Sequence, residues 1–456
     1  MDVKIAVAGA TGFVGQQLGA ALSDMGETIA LSRSERKTLD GYQEVRQTDL
    51  FSLKDCERAL AGIDCAIYLV HSMLPSASLV QGHFADLDLL CADNFARAAK
   101  SAGVKQIIYL GGLMPTEDEL SDHLRSRLEV ETVLAATGVP LTTLRAGMVI
   151  GPDGSSFQIL ARLVSRLPVM VCPGWTNTLM EPVALADVVA AIAALVLKPD
   201  HFNQTYDLGC GETVSYRQLI ERTASIMGRK RRLLSVPLFS PSLSRLWVSL
   251  TTGAPRSLIG PLIKSLEHSM IPRDAFRLAD LPQTSLDTLL TETVKHWQSE
   301  PSTPRAFSAA PKATYRHTVR SVQRMQKPKA RDAEWATLEY LQWLPDGLKG
   351  LVRVNREDEN QIRFTLFENG PPLLILALRT HRSDQSRHVL RVTGGLLAKE
   401  TERGRLEFRE VLDQQTLIAA IHDFEPSLPW WLYLVSQAQF HRYVMYRFSQ
   451  HLKGAK

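Results

Sequence analysis

Along the first 210 residues, short apolar runs rich in β-branched residues alternate with stretches whose apolar positions recur at helical spacing. VKIAVAG, ETIALS, EVRQTD, CAIYLV, KQIIYLGG and PLTTLRAGMVI read as strands. Helices fall between them, such as FADLDLLCADNFARAAKSAG, which stops on a glycine. This alternation predicts parallel strands joined by crossover helices. QTYDLGCGETVSYRQLIERTASIMG adds a strand and a helix opened by a Thr/Ser cap. Residues 235–285, rich in Pro, Ser and Leu, read as short amphipathic helices broken by turns.

The pattern then changes. SEPSTPRAFSAAPKATY carries Pro, Ser and Ala without periodicity and reads as a linker over 301–314. Beyond it come a strand (RHTVRSVQRM), a helical stretch (RDAEWATLEYLQWLP) and six strand-like runs. One long helix, WWLYLVSQAQFHRYVMYRFSQHL, closes the chain. That order describes a curved sheet gripping a helix, an α+β domain over 315–456. The α/β domain occupies 1–300, with a substrate-side extension over about 150–290.

The 456-residue length suits two unequal domains, and 45% apolar with 22% charged residues is a globular balance. A formal charge of +4 gives no reason to expect nucleic acid as a partner. The five cysteines, Cys56, Cys65, Cys91, Cys172 and Cys210, lack paired or metal-ligand spacing and read as buried thiols in a reducing compartment. Met1-Asp2-Val3-Lys4 runs directly into a strand, with no sign of a signal peptide. The longest apolar run, VALADVVAAIAALVL, contains Asp187 and falls short of the ~20 residues a spanning helix needs. A cytoplasmic protein is expected, with peripheral membrane contact and oligomeric state left open.

The first strand runs into GATGFVG, placing Gly9, Gly12 and Gly15 between an apolar strand and an amphipathic helix. Glycines there permit a tight turn, let backbone N–H groups approach a pyrophosphate and allow close helix–strand packing. The chain therefore reads as a doubly wound, Rossmann-like fold, with Thr11, Phe13 and Val14 completing the phosphate loop. At the end of the second strand stand Ser32 and Arg33, followed by Arg36 and Lys37. A basic residue at this point suits the 2′-phosphate of NADP(H), with NAD the alternative cofactor. Asp49 and Leu50, after the third strand, are placed beside the adenine, and Val70 and His71 end the fourth strand near the nicotinamide.

GATGFVG, TDL, YLGGL, HLRSRLEVE and LRAGMVIGP resemble the atypical and extended short-chain dehydrogenase/reductases, NmrA-like and isomerase-like members included, over about residues 1–300. MVIGPDGSSFQIL, SLTTGAPRSLIGPLIKSLE and LPWWLYLVSQAQFHRYVMYR are similar, more narrowly, to the bacterial YbjT-like NAD(P)-binding proteins. In these, a domain of unknown function follows the dinucleotide fold. The C-terminal part resembles the helix-grip (START-like) fold, whose cavity commonly holds lipids or other apolar ligands.

The resemblance implies an active helix reading YxxxK and a serine after the fifth strand. Here His123 stands at the tyrosine position, Arg127 at the lysine position, and Gly111 and Gly112 at the serine position. Spacing of four keeps His123 and Arg127 on one helix face. Arg127 retains the capacity to hold ribose hydroxyls, and a histidine is a feasible general acid near neutral pH. The expected catalytic pair is His123 and Arg127, with Gly111 and Arg127 joining the cofactor set. Asp187 is expected to cap its helix. His422, Asp423 and Glu425 lack ligand spacing, and no metal is expected. The implied function is an oxidoreductase or isomerase acting on a small molecule. The alternative is a non-catalytic cofactor sensor or scaffold whose C-terminal domain binds an apolar ligand or partner.

Overall fold

A computed structural model describes residues 3–71, 79–115, 120–236, 266–274, 277–278, 283–299, 318–357, 360–368, 370–412 and 415–455. Ser72, the linker over 301–314 and most of the Pro/Ser/Leu-rich stretch lie outside the described residues. The chain forms two compact units, residues 1–73 with 91–309 and residues 74–90 with 310–456.

The sheet of the first unit has seven strands: β1 (Lys4–Ala8), β2 (Glu27–Ser32), β3 (Glu44–Gln47), β4 (Cys65–Tyr68), β6 (Gln106–Gly112), β7 (Leu141–Ala146) and β12 (Thr205–Leu208). All pair parallel, in the order β3-β2-β1-β4-β6-β7-β12. Ile5, Val7, Ile29, Ile67 and Ile108 are wholly inaccessible, as expected of strands covered by helices on both faces. The helices are α1 (Gly15–Leu22), α2 (Leu53–Leu60), α3 (Phe84–Ala102), α4 (Asp122–Ala135) and α6 (Leu185–Leu195). Strand order reverses between β1 and β4, which opens a crevice beyond their carboxyl ends.

The extension is a second small core. Short ladders join β8 (Val149–Ile150) to β11 (Val183–Ala184), β9 (Val169–Pro173) to β14 (Arg232–Val236), and β10 (Leu179–Met180) to β13 (Val214–Ser215). Phe157 and Ala161 of α5 (Ser155–Arg166), Leu219 of α7 (Tyr216–Ile226) and Leu290 of α8 (Leu286–Ser299) pack together beside them. One expectation fails here. Helix α6 has Ala184 at its cap position and no side-chain cap. Asp187 instead accepts from the backbone N and Oγ1 of Thr284 at 2.8 and 2.9 Å, anchoring the approach to α8. Two convergent donors outweigh a cap that the next backbone N–H groups can do without.

In the second unit, β5 (Leu79–Gln81) joins β15 (Val319–Gln326), β16 (Val352–Arg356), β17 (Gln361–Leu366), β18 (Pro372–Leu378), β19 (Arg387–Gly394), β20 (Arg405–Val411) and β21 (Thr416–Phe424) in one eight-stranded sheet. Its order is β16-β17-β18-β19-β20-β21-β15-β5, antiparallel except where β5 lies parallel to β15. One face holds Leu376, Leu390 and Phe408 against Tyr340 of α9 (Ala333–Gly347) and Phe448 of α11 (Gln437–Gly454). The closing helix is not continuous. A separate α10 (Trp430–Val435) ends at Ser436, whose φ of −117° and ψ of −86° leave the helical region and whose hydroxyl bonds back to the Leu432 carbonyl.

Period-two alternation gives β20 two characters: Leu406 and Phe408 face the gripped helices, while Arg405, Glu407 and Arg409 share the other face. That charged face is also buried. Glu407 is wholly inaccessible, pairs with Arg387 at 2.7 Å and with Arg409, and lies 3.5 Å from Arg405. Next to it Asp423 pairs with Arg320 at 2.9 Å and Arg403 at 3.1 Å. His422 is held well below the ordinary histidine range, chiefly by burial and then by the Arg405 charge.

Candidate dinucleotide and substrate site

The loop after β1 is shaped by its glycines. Gly9 has φ +93°, a conformation side chains other than glycine's rarely adopt, and its carbonyl accepts from Gly12 N at 2.9 Å. A methyl group at Gly15 would stand 2.3 Å from the Gly9 carbonyl oxygen and 2.6 Å from the Ala10 Cα. The helix therefore starts against the strand end, with its N-terminal N–H groups and positive dipole end beside the loop. Thr11 and Gly12 are exposed on this turn. Val14 immediately precedes α1. The Phe13 ring turns away from the loop and packs on the 151–154 turn, where methyl groups at Gly151 or Gly154 would meet it at 3.0 or 2.9 Å.

At the end of β2, Ser32 is buried and its hydroxyl bonds the Ser34 carbonyl at 3.1 Å, which fixes the turn. Arg33 is exposed, and among the described residues its guanidinium enters no ion pair. Arg36 is tied to Ser34 Oγ at 3.1 Å. After β3, Asp49 Oδ1 accepts from Phe51 N at 3.2 Å, while Leu50 is buried with its carbonyl bonded by Asn94. The tight Gly9 turn, the helix start without room for a side chain and the free Arg33 fit a dinucleotide with a phosphorylated ribose. The phosphate loop would hold the pyrophosphate and Arg33 the 2′-phosphate.

The ends of β4 and β6 and the start of α4 bring the remaining predicted residues together. Val70 and His71 follow β4, and the His71 and His123 rings lie 5.0 Å apart between centroids. Ser121 caps α4, accepting from Leu124 N at 3.3 Å, so the helix starts at Asp122, one residue before His123. Arg127 is buried one turn on, and its stem runs beside Gly112, where a Cβ would lie 3.7 Å from the Arg127 Cγ. Tyr109 of β6 donates to the Arg127 carbonyl at 3.3 Å, and its ring lies against Gly111. Gly111, Gly112, His123 and Arg127 thus occupy one corner.

From that corner opens a cavity of about 240 Å³, lined by Gly112, His123, Gly147, Ser156, Trp175 and Tyr216 together with aliphatic side chains of α5 and α7. Met270 also lines it, held beside β10 by Met270 N to Leu179 O and Glu181 N to Met270 O, both 2.9 Å. Trp175 and Tyr216 were not found from the sequence. One sits on a short 3₁₀ turn after β9 and the other at a helix start, far from any motif and with no local signal. The five cysteines are free and buried, as expected. Burial pushes the Cys65 thiol up to about 12, which leaves it un-ionised and unreactive. Among the described residues no group of His, Cys, Asp or Glu side chains could hold a metal ion.

Residues 9–166 match the NAD(P)H-binding family. The matched stretch runs from the phosphate loop through the Gly111–Arg127 corner to the end of α5. Auxiliary protein GraX of Staphylococcus aureus is 33% identical over 147 residues, 31% of this chain and 44% of GraX. This chain therefore spans less than half of GraX. Ceramide reductase of Caulobacter vibrioides is 28% identical over 262 residues, 54% of this chain and 79% of that protein. Among solved structures, the triphenylmethane reductase of Citrobacter sp., complexed with NADP(H), superposes with a TM-score of 0.51 at 21% identity. It covers 63% of this chain and 99% of its own, a likeness that shows the Rossmann-like fold alone.

Proposed function

We propose that this protein is an NADP(H)-dependent reductase of the atypical short-chain dehydrogenase/reductase type, acting on a small, largely apolar carbonyl compound. The observation that carries the reading is the largely apolar, half-open cavity beside the corner of Gly112 and His123. A protein that only senses its cofactor has no need of it. Reducing a carbonyl places a hydride on carbon and a proton on oxygen, and the nicotinamide supplies the first. His123 lines the cavity, which supports a role for its imidazole in delivering the second. Arg127, permanently charged and buried beside Gly112, holds and orients rather than transferring a proton. The relative named ceramide reductase supports the same broad chemistry. The second unit is read as helix-grip (START-like), supported by the apolar sheet face that holds α9 and α11. Free, buried thiols support a reducing compartment such as the cytoplasm, and no described helix is long and apolar enough to cross a membrane.

A second reading, a cofactor sensor, draws on the replacement of serine, tyrosine and lysine by Gly112, His123 and Arg127. Two measurements separate them. In calorimetric titration NADPH should bind more tightly than NADH, and Arg33→Ala should remove about 1–2 kcal/mol of that preference, as for a charge-assisted hydrogen bond. Equal NADPH affinity in Arg33→Ala would leave the basic turn without a cofactor role. Turnover is then followed as NADPH oxidation with apolar ketones and quinones, beginning with menadione. His123→Ala should lower kcat about 10²–10⁴-fold at unchanged NADPH affinity. Undiminished kcat would remove His123 from the chemistry, and no oxidation by the wild type across the panel would favour the sensor.

A further inference from the structure

The cavity contains a hydroxyl that the protein does not use. Tyr216 is the first residue of α7, and a capping box fixes its direction: Ser215 Oγ accepts from Gln218 N at 3.1 Å, and Gln218 Oε1 accepts from Ser215 N at 2.8 Å. The Tyr216 ring meets the Trp175 ring edge to face, centroids 6.1 Å apart at 74°. Trp175 is fixed by the turn it sits on, where Thr176 Oγ1 donates to the Pro173 carbonyl at 2.7 Å. Both rings are therefore pre-set parts of the wall. Yet the Tyr216 hydroxyl makes no hydrogen bond among the described residues, and burial alone pushes its ionisation above the ordinary tyrosine range. The Trp175 indole N–H is also buried without an acceptor.

Tyr216 is half-buried, so water can serve its hydroxyl while the cavity is empty, but a ligand that covers it without offering an acceptor leaves it unsatisfied at a cost of about 1–3 kcal/mol. Phenylalanine would fill the same space against Trp175 without that cost. The rest of the wall limits what the missing partner can be. Ile159, Leu160, Leu163, Leu219, Ile220 and Met270 are apolar, and among the described residues no lysine, arginine or carboxylate lines the cavity. An ionic ligand would lose its hydration there with no counter-charge to replace it. The volume of about 240 Å³ exceeds the ~150 Å³ in which an apolar cavity takes up benzene. A two-ring system or an aliphatic chain of similar bulk therefore has room.

We infer that Tyr216 is the specificity-determining donor of this cavity, binding a neutral, apolar molecule larger than one aromatic ring through an oxygen acceptor. The inference rests on the cavity being the ligand site of the proposed reductase, but it concerns binding and needs no turnover. A donor that becomes buried only when the ligand enters selects strongly, since a ligand of the same shape without the oxygen leaves the hydroxyl unsatisfied in the complex. It also orients: an oxygen tied to Tyr216 sets which part of the ligand meets His123.

The test uses two probes of equal heavy-atom count, 2-acetylnaphthalene and 2-isopropylnaphthalene, titrated calorimetrically into the full-length protein and into Tyr216→Phe without cofactor. The wild type should prefer the ketone by two- to tenfold, the worth of one neutral hydrogen bond. Tyr216→Phe should abolish that preference while holding the isopropyl compound at least as tightly, which also shows that the variant's cavity is intact. A preference that survives in Tyr216→Phe overturns the inference. So does a wild type that binds both probes equally, or neither. If the Tyr216-dependent preference is found but NADPH is never oxidised, the inference stands and the reductase reading fails. If NADPH is oxidised with an unchanged ketone preference in Tyr216→Phe, the reverse holds.

Discussion

Gly15→Ala is expected to destabilise the first unit by about 1–3 kcal/mol, the usual cost of overpacking, and to lower NADPH affinity at least tenfold. The added methyl would stand 2.3 Å from the Gly9 carbonyl oxygen and 2.9 Å from the Ala10 carbonyl carbon, both backbone atoms that no rotamer change can move aside. Either α1 lifts from the end of β1 or the phosphate loop opens, and in both cases the N–H groups lose the arrangement that faces the pyrophosphate. Gly12→Ala is the control. Its methyl would lie 3.1 Å from the Gly9 oxygen with no second close neighbour, so stability should change little while the added bulk stands on an exposed surface of the loop. Urea denaturation and NADPH titration of the two variants check this. If Gly15→Ala binds NADPH like the wild type, the loop is not the pyrophosphate cradle.

Glu407→Gln is expected to cost the second unit about 3 kcal/mol, because removing one partner of a buried ion network leaves the other charges uncompensated. Glu407 is wholly inaccessible and shares its two oxygens among Arg387, Arg405 and Arg409. Burial raises its pKa, but the surrounding guanidinium groups, Arg387 and Arg409 first, hold it well below the usual carboxylate range. Asp423, opposed likewise by burial, is brought down to about 2 by Arg320 and Arg405. Both folded-state values are depressed, so the stabilisation is complete above the unfolded pKa of roughly 4 and is lost as pH falls below it. His422 lies well below its ordinary value, and burial takes His441 of α11 down to about 4. Unfolded chains take up protons on these histidines from roughly pH 6.5 downward while the folded chain does not. Stability should therefore decline in two stages on acidification, and Glu407→Gln should diminish only the second. Denaturation midpoints between pH 7 and pH 3 test this; a midpoint independent of pH above 4.5 would exclude the histidine contribution.

The alternation of periods placed every strand of the first sheet and every strand of the second from β15 to β21. Apolar period two and helical spacing are properties of contiguous residues. The glycine loop and Arg33 were legible for the same reason, since their chemistry is local. What escaped notice depends on distant partners. Leu79–Gln81 is only three residues long and has no pattern of its own; pairing with Val319–Ser321 makes it a strand. Asp187 sits where a cap is common, but Thr284, 97 positions away, takes its carboxylate. The closing helix has unbroken periodicity in the sequence, yet its backbone leaves the helical region at Ser436. Trp175 and Tyr216 meet only through the packing of β9 and α7, so the cavity's polar group was beyond any reading of motifs.

The placement of β5 bears on how the chain is made and how it can be cut. Leu79 leaves the ribosome roughly 240 residues before Val319, the strand residue beside it, an interval on the order of tens of seconds at ordinary elongation rates. Through that interval the growing chain carries an edge-forming segment whose template does not yet exist. A recombinant piece ending near residue 300 would keep this segment permanently without its neighbour, and a piece starting near 315 would leave β15 as a bare edge, the kind of surface that recruits other chains. Dissecting the protein at its most obvious linker would thus sever one sheet, and pieces intended for biophysical work should keep Leu79–Gln81 and Val319–Gln326 in one chain.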